Sequence, residues 1–221
     1  MSTLQLEIAA IMRSREKVIG NIAWFPTQVY YYARESSQSW IHNICEVGYG
    51  AGHSAILYLS VNGKANLYSF DIFANLPAQR SFRNTRALTL PKTYQSSTLS
   101  LIARTPDFAN RFQKIAGDSN VTLPAFVKEN PQLKCDFISI DGSHVPPQPY
   151  FDILNLRPLA HNRTIVVLDD MHSNLMRNDF DRAITSKLLI QYECLTPEYR
   201  TDMRFASYTT SIKVFCAARY V

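Results

Sequence analysis

Seven short apolar runs recur along the chain, and segments of helical length separate most of them. The runs span 41–47, 65–73, 112–118, 134–141, 163–170, 189–195 and 211–221. The central runs, such as "CDFISI" and "TIVVL", are nearly continuous in apolar residues, which is typical of strands buried on both faces of a parallel sheet. Helices between parallel strands require right-handed crossovers, so the pattern predicts an α/β fold with a doubly wound, Rossmann-like sheet and helices on both faces.

The two ends of the chain follow other patterns. No helical pattern separates the last two runs, which predicts an antiparallel pair at one edge of the sheet. The first forty residues (1–40) predict one or two helices and include an aromatic cluster from Trp24 to Tyr32, which either packs on the sheet or covers an acceptor as a lid. No repeat or linker interrupts the 221 residues, so we expect a single domain over 1–221.

Composition favours a globular protein without a membrane partner. Hydrophobic residues make up 46% of the chain and charged residues 19%. No stretch approaches the ~18 apolar residues of a membrane span, and the start lacks the unbroken apolar core of a signal peptide. The four cysteines lie far apart and form no metal-ligand motif. We therefore expect buried free thiols and a cytoplasmic location.

The net charge of +5 is concentrated in one segment. Between Phe73 and Lys114 a single acid, Asp107, accompanies seven basic residues: Arg80, Arg83, Arg86, Lys92, Arg104, Arg111 and Lys114. Such a segment could meet nucleic acid or an anionic substrate. No RNA-binding signature with interleaved aromatic residues accompanies it. We interpret it as a solvated loop and helix face and expect no specific nucleic-acid partner.

A glycine-rich loop follows the first predicted strand, in "ICEVGYGAGHSA". Gly48, Gly50 and Gly52 permit a tight turn and a close approach of the backbone to a ligand. The dinucleotide fingerprint would need a glycine where this chain has His53. Glu46 would repel a pyrophosphate, but it would attract a ligand that carries an ammonium or sulfonium group.

Two further acids end the next predicted strands. Asp71 ends the second strand, where a carboxylate can accept hydrogen bonds from both hydroxyls of a ribose. Asp118 ends the third, where it could meet an adenine amino group. Ligands of doubly wound sheets bind beyond the carboxyl ends of the strands. The pattern therefore predicts a ligand with a cationic amino-acid end, a ribose and a base.

These motifs resemble those of the class I S-adenosylmethionine-dependent methyltransferases. "EVGYGAG" is similar to their first motif, and Asp71 to their ribose-binding acid. The blocks "GDSNVTLPAF", "CDFISIDGSH" and "TIVVLDDMHS" resemble a subgroup of metal-dependent O-methyltransferases that act on sugars, macrolides and catechols. The resemblance covers roughly residues 40–172 and implies the strand order 3-2-1-4-5-7-6 with an antiparallel last strand.

The resemblance also implies which residues bind S-adenosylmethionine. Asp118 and Ser119 would lie at the adenine. The full expected set comes from the glycine loop and the following strand ends: Glu46, Gly48, Tyr49, Gly50, Gly52, Asp71, Ile72, Asp118, Ser119 and Asp141. The chain departs from the subgroup in "LAHNRT", where His161 and Asn162 stand in place of a Gly-Gly turn. Because that turn lies opposite the cofactor, we expect altered loop geometry and intact binding.

Three acids, Asp141, Asp169 and Asp170, end the fourth and fifth strands. These strands are neighbours in the expected order, so their carboxyl ends face one crevice. Carboxylates at one spot repel unless they are protonated or bridged by a cation. Oxygen ligands suit Mg²⁺, with Mn²⁺ or Ca²⁺ as alternatives, and metal-dependent O-methyltransferases carry similar acids. The sequence therefore predicts a magnesium site on all three, although Asp169 or Asp170 could instead cap the following helix.

His144 follows Asp141 in "DGSH" and is placed to take the proton from an acceptor hydroxyl. Sugar O-methyltransferases carry a similarly placed histidine, so we predict His144 and Asp141 as the catalytic residues. The alternative is a histidine that only hydrogen-bonds a loop. The other histidines are weaker candidates (His53 and His172) or structural residues (His42 and His161).

These features predict an S-adenosylmethionine-dependent methyltransferase, with Mg²⁺-dependent O-methylation of a small hydroxylated molecule as the leading interpretation. Metal-independent N- or O-methylation of another small molecule stays open, as does a non-catalytic, cofactor-binding partner subunit. A nucleic-acid methyltransferase is disfavoured, because "IDGSH" stands where the "DPPY"-like motif of amino-methylating enzymes would be. The expected partner is a small-molecule acceptor, and homo-oligomerisation is left open.

Overall fold

The structure, a computed structural model, describes Ile22 and residues 26–73, 92–195 and 215–221, with only the backbone described at 92–94. Within these residues, strands and helices alternate as the apolar pattern predicts. The strands are β1 (Asn43–Val47), β2 (Asn66–Asp71), β3 (Phe112–Ala116), β4 (Phe137–Ile140), β5 (Ile165–Leu168), β6 (Leu189–Leu195) and β7 (Phe215–Tyr220). The helices are α1 (Pro26–Ser36), α2 (His53–Val61), α3 (Lys92–Arg104), α4 (Pro106–Ala109), α5 (Ser119–Glu129), α6 (Gln148–Leu156) and α7 (Asn174–Thr185).

The strands form one sheet in the order β3-β2-β1-β4-β5-β7-β6. β1 lies in the middle and pairs in parallel with β2 and β4. β3 and β5 extend the parallel part on either side. β7 runs antiparallel to both of its neighbours, β5 and β6. The predicted strand order and the antiparallel last strand are confirmed.

Neighbouring residues of the central strands point into two separate cores. Ile44 of β1 and Phe137 of β4 pack in a core with α1 to α4 on one face of the sheet. The next residues, Cys45 and Ile138, pack in a second core with α5 to α7 on the other face. Every residue of β4 and β5 is buried. Burial on both faces explains why these strands are continuous in apolar residues instead of alternating.

The cysteines differ from the prediction of free thiols, which is wrong. All four form disulfides, Cys45–Cys135 and Cys194–Cys216. Because β1 lies beside β4, Cys45 comes within 5.8 Å, Cα to Cα, of Cys135 just before β4. Cys194 and Cys216 are directly opposed in the antiparallel pair of β6 and β7. Sheet neighbours that are far apart in sequence therefore bring the thiols together.

Hydrogen bonds link the turn before β5 to the start of β1, at the amino ends of the parallel strands and opposite the glycine loop. His161 Nε2 lies 2.8 Å from Asp136 Oδ1. The other oxygen of Asp136 accepts hydrogen bonds from the backbone amides of His42 and Asn43, at 2.7 and 2.9 Å. His161 thus has a structural partner, at the opposite end of the strands from the predicted reaction centre.

Parts of two predicted segments lie outside the described residues. Trp24 of the aromatic cluster is one such residue, and Arg80, Arg83 and Arg86 of the basic segment are others. Within the described part of that segment, the Arg111 guanidinium donates to the backbone carbonyls of Leu59, Asn62 and Ala65. Arg111 therefore caps the carboxyl end of α2. None of the described helices has both the length and the apolar character needed to cross a membrane.

Candidate active site

The glycine loop connects β1 to α2 and rests against the end of β4. Gly48 has a φ of 96°, a conformation that favours glycine. A Cβ added there would overlap the Asp141 carbonyl oxygen, while the Asp141 amide donates to the Val47 carbonyl at 2.8 Å. Gly50 also has a positive φ, of 52°, but faces open space. The loop is thus packed at its first glycine and accessible to a ligand at its second.

Asp71 holds the glycine loop at the end of β2. Its Oδ2 accepts a hydrogen bond from the Gly50 amide at 3.1 Å, and its Oδ1 accepts one from the Phe73 amide at 2.7 Å. Ile72 beside it is 43% exposed, whereas Tyr49 is 2% exposed, and the Tyr49 hydroxyl donates to Thr98 Oγ1 at 2.8 Å. Asp71 and Ile72 therefore face the crevice, while the Tyr49 ring supports the loop from the core.

Glu46 lies in the interior instead of facing a ligand directly. Its side chain is 1% exposed, and its two oxygens accept hydrogen bonds from the hydroxyls of Ser54 and Ser69. Burial raises the pKa of the Glu46 carboxyl to about 7, against the lowering effect of the two hydroxyls. Glu46, which the sequence places at the start of the glycine loop, thus links α2 to β2 beneath the loop through these hydrogen bonds.

Asp118 and Ser119 lie at the start of α5, after β3. The Asp118 carboxylate caps the helix by accepting the Asn120 amide at 2.9 Å. The Ser119 hydroxyl donates to Asp152 Oδ1 at 2.6 Å. Asp152, on α6, is fully buried, and sequence analysis missed it. The available signal was an acid on the same helical face as the apolar Ile153 and Leu156.

A pocket of about 430 Å³ lies between the start of α5 and the loop after β4. Its wall has three polar side chains, Asn120, Ser143 and Gln148, and an apolar part formed by Val145, Pro146, Pro147 and Phe151. The same loop begins with Asp141 and carries His144. One loop therefore contributes residues both to the pocket wall and to the predicted reaction centre.

Asp141, His144 and Asp170 form a cluster at the ends of β4 and β5. His144 Nε2 lies 3.4 Å from Asp141 Oδ1, and His144 Nδ1 lies 3.2 Å from Asp170 Oδ2. One donor atom from each of the three residues lies within 4.8 Å of the others, a spacing suited to a metal ion. His172 Nδ1 is 3.5 Å from Asp170 Oδ1, so it flanks this cluster.

Asp169 is oriented differently from its neighbour. It is 8% exposed, and its Oδ1 accepts the Asp170 amide at 2.7 Å. Burial raises the pKa of the Asp169 carboxyl well above its usual range, while hydrogen bonds from Asp170 and Gln28 act to lower it. Asp170 has a φ of 51°, in the left-handed region. Of the three predicted metal ligands, the structure gathers Asp141 and Asp170 around His144 and buries Asp169.

The two carboxylates of the cluster favour a cation placed between them. Burial raises the pKa of Asp141 to about 6, although the hydrogen bond with His144 lowers it. The same hydrogen bond is the main reason that the pKa of His144 lies above its ordinary value. Two carboxylates that share a site repel unless one of them is protonated or a cation lies between them, and the imidazolium or a bound metal could supply that cation.

Part of the aromatic cluster that could have formed a lid packs in the core instead. Tyr31 and Tyr32 of α1 are 3% and 1% exposed, and both rings pack against Phe215 of β7. Tyr30 is 66% exposed. His53, at the start of α2, is buried at 2% exposure. Within the described residues, α1 therefore packs on the sheet with most of its aromatic side chains.

Comparison with known proteins places the chain in a family. A family model described as "Methyltransferase domain" matches residues 45–171, which is more than half of the 221 residues. The chain belongs to this family. A comparison with curated protein sequences finds no significant match.

Solved structures share the fold at low sequence identity. An O-methyltransferase from Bacillus cereus in complex with SAH superposes with a TM-score of 0.65 at 13% identity, covering 100% of this chain and 92% of that one. TomG from Streptomyces achromogenes, an O-methyltransferase of tomaymycin synthesis in complex with SAM, gives 0.63 at 12% identity, with 100% and 91% covered. CalS11, a TDP-rhamnose 3'-O-methyltransferase, gives 0.56 at 14% identity, with 96% and 92% covered. Family and fold together identify a class I S-adenosylmethionine-dependent methyltransferase.

Proposed function

We propose that this methyltransferase transfers the methyl group to a hydroxyl of a small molecule and that it depends on Mg²⁺. The observation that carries the proposal is the cluster of Asp141, His144 and Asp170, which lies beside the glycine loop at the carboxyl ends of adjacent strands. The roles of TomG in tomaymycin synthesis and of CalS11 as a TDP-rhamnose 3'-O-methyltransferase agree with a small hydroxylated acceptor.

The donor set of the cluster fits a divalent cation. Two carboxylates supply the oxygen ligands that Mg²⁺ prefers, and each side chain offers an atom within 4.8 Å of the others. Asp141 and Asp170 would hold the ion, and Asp169 would support Asp170 through its backbone amide. When bound, such an ion supplies a Lewis acid that lowers the pKa of an acceptor hydroxyl.

The residues of this chain then have distinct tasks. The glycine loop and Asp71 would hold the amino-acid and ribose parts of the cofactor, whose sulfonium supplies an activated methyl group. His144 would take the proton of the acceptor hydroxyl as its oxygen bonds to the methyl carbon and the carbon–sulfur bond breaks. A carboxylate oxygen of Asp141 or Asp170 that does not hold the ion would stabilise the imidazolium that forms. Most of the remaining rate acceleration would come from alignment of the two reacting groups.

A second candidate, metal-independent O-methylation, has support from one contact pair. His144 reaches Asp141 with one ring nitrogen and Asp170 with the other. An imidazolium in this position neutralises both acids without a metal ion. In this candidate His144 would act as the general base from its neutral form, and the imidazolium that forms on proton transfer would be the cation that neutralises both acids.

Methyl transfer to hydroxylated acceptors, assayed in EDTA and after Mg²⁺ is restored, decides between the two candidates. We expect EDTA to abolish turnover and Mg²⁺ to restore it. Asp170→Asn should weaken Mg²⁺ binding, measured by calorimetry, more than Asp169→Asn does, because only Asp170 lies in the cluster. Full activity in EDTA would establish the metal-independent candidate.

His144→Ala tests the base. We expect the rate to fall by roughly 10²–10⁴-fold, with partial recovery at higher pH, where the acceptor ionises without help. His172→Ala is the matched control and should change the rate far less, since His172 contacts Asp170 at the margin of the cluster. A wild-type rate in His144→Ala would remove the histidine from the chemistry.

The remaining expectations stay predictions. They are a small-molecule acceptor without a nucleic-acid or membrane partner, and a cytoplasmic location. The two disulfides weigh against the reducing compartment that the free-thiol interpretation favoured. Cell fractionation, with thiol labelling of the isolated protein, tests the location and the cysteine pairing together.

A further inference from the structure

Asp152 is a buried acid whose surroundings the proposed reaction does not explain. It lies on α6 with no exposure to solvent. Its Oδ1 accepts two hydrogen bonds, from Ser119 Oγ at 2.6 Å and from Gln148 Nε2 at 2.8 Å. Its Oδ2 has no hydrogen-bond partner among the described residues. A buried carboxylate without a cation is costly, and this one lies next to the pocket, where it acts on the neighbouring amide groups.

The carboxylate fixes the orientation of the Gln148 amide. A carboxylate only accepts hydrogen bonds, so Gln148 must turn its NH₂ group, and not its carbonyl, towards Asp152. Gln148 Nε2 also donates to the Ser119 hydroxyl at 2.9 Å, whose own proton goes to Asp152. The Gln148 carbonyl therefore points the other way, towards Asn120.

The orientation of the Gln148 amide also determines the orientation of the Asn120 amide in the pocket wall. Because Gln148 presents its carbonyl, Asn120 must meet it with its NH₂ group, and Asn120 Nδ2 donates to Gln148 Oε1 at 2.6 Å. Asn120 then keeps its carbonyl oxygen without a donor among the described side chains. Asn120 is an exposed residue of the pocket wall, whose other residues are the polar Ser143 and Gln148 and four apolar residues. The pocket thus offers a hydrogen-bond acceptor beside surfaces on which a flat ring can pack.

We infer that Asp152 is a positioning residue that makes this pocket select a ring bearing an amino group over the same ring bearing an oxo group. The inference rests on the proposed function, because the ring concerned is the purine of the cofactor. An amino group donates to the Asn120 carbonyl. An oxo group in its place sets an acceptor against an acceptor, so the hydrogen bond is lost and the two oxygens repel each other.

Binding of two cofactor products tests the inference, namely S-adenosylhomocysteine and S-inosylhomocysteine, which differ in the amino or oxo group of the purine. Calorimetry on the wild type should show a preference for the amino compound of at least about tenfold. Asp152→Leu should reduce the ratio to about threefold or less, because Gln148 and Asn120 can then turn their amides over. Asp152→Asn should keep most of the preference, since an amide oxygen can still accept both hydrogen bonds.

Two further variants make the outcome decisive. Gln148→Met breaks the relay at a partly exposed position and should also lose the preference, even where Asp152→Leu does not fold. Asp179→Leu is the control. Asp179 is another buried acid, and one of its oxygens has no hydrogen-bond partner among the described residues, so this variant should keep the wild-type ratio. Equal affinity of the wild type for both compounds, or a wild-type ratio in Gln148→Met, would overturn the inference alone. A wild type that binds neither compound would overturn the proposed function.

Discussion

Replacing Glu46 by Gln tests how the glycine loop is supported from below. The carboxyl is 1% exposed, and burial raises its pKa from an ordinary 4.5 to about 7. Since the folded-state pKa lies above the unfolded one, the folded protein keeps a proton that the unfolded chain releases between these values. The stability from this group is therefore fully present below pH 4.5 and is lost as the pH rises through 7.

The size of the effect follows from the pKa difference. Each pKa unit corresponds to about 1.4 kcal/mol, so ionising Glu46 in the fold costs about 3 kcal/mol of unfolding free energy. Glutamine keeps the shape of the side chain, and its amide can donate to a serine hydroxyl that rotates to accept. Glu46→Gln should therefore match or fall slightly below the wild type near pH 5 and exceed it by about 2–3 kcal/mol near pH 8.

Urea unfolding of both proteins across this pH range measures the difference. Other acids with raised pKa values, such as Asp141 and Asp152, are present in both proteins and cancel. Glu129→Gln changes an exposed acid at the end of α5 and should leave the pH profile unchanged. If Glu46→Gln lost as much stability as the wild type between the two pH values, Glu46 would be ionised in the fold and the reasoning would be refuted.

Three further outcomes follow from the site. Asp71→Ala removes the acceptor of two loop amides and the expected ribose contact, so S-adenosylhomocysteine should bind roughly 10–100-fold more weakly in calorimetry, whereas Glu129→Ala should bind it normally. Gly48→Ala should lower the unfolding free energy in urea by at least ~2 kcal/mol, because its Cβ overlaps the Asp141 carbonyl; wild-type stability would contradict this packing. Titration with single-stranded and duplex nucleic acid should show only weak binding that fades towards physiological salt, and tight binding there would favour a nucleic-acid substrate.

The buried parallel strands could be predicted because each central strand is an apolar run that ends in a polar residue, whereas the strand order followed from the resemblance to class I methyltransferases. Parallel strands place these ends at one side of the sheet, so the sequence predicts Asp71, Asp141 and the pair Asp169–Asp170 in one crevice. Which acid of the pair turns inward could not be predicted. That depends on the φ of 51° at Asp170, a single backbone angle with no signature in a sequence that reads Asp-Asp.

Contacts between distant residues account for the other differences. The Cys45–Cys135 pairing depends on the exact neighbours of β1, and 90 residues separate the two thiols. Glu46 has the right residue type for a cationic ligand, but its position within β1 directs the side chain between strand and helix, where serines meet it. Sequence reasoning located the acid correctly at the loop and could not determine which way it faced.

One short loop joins the two halves of the site. It begins at Asp141, whose carbonyl packs against Gly48, and it ends at Gln148, which Asp152 holds through a hydrogen bond. Between these anchors it carries His144 and much of the pocket wall. Methyl transfer depends on the alignment of acceptor, methyl group and leaving sulfur, and errors of about 1 Å are costly. Because one loop supplies both the candidate base and part of the wall of the proposed cofactor pocket, its two anchors would hold the reacting groups in fixed relative positions.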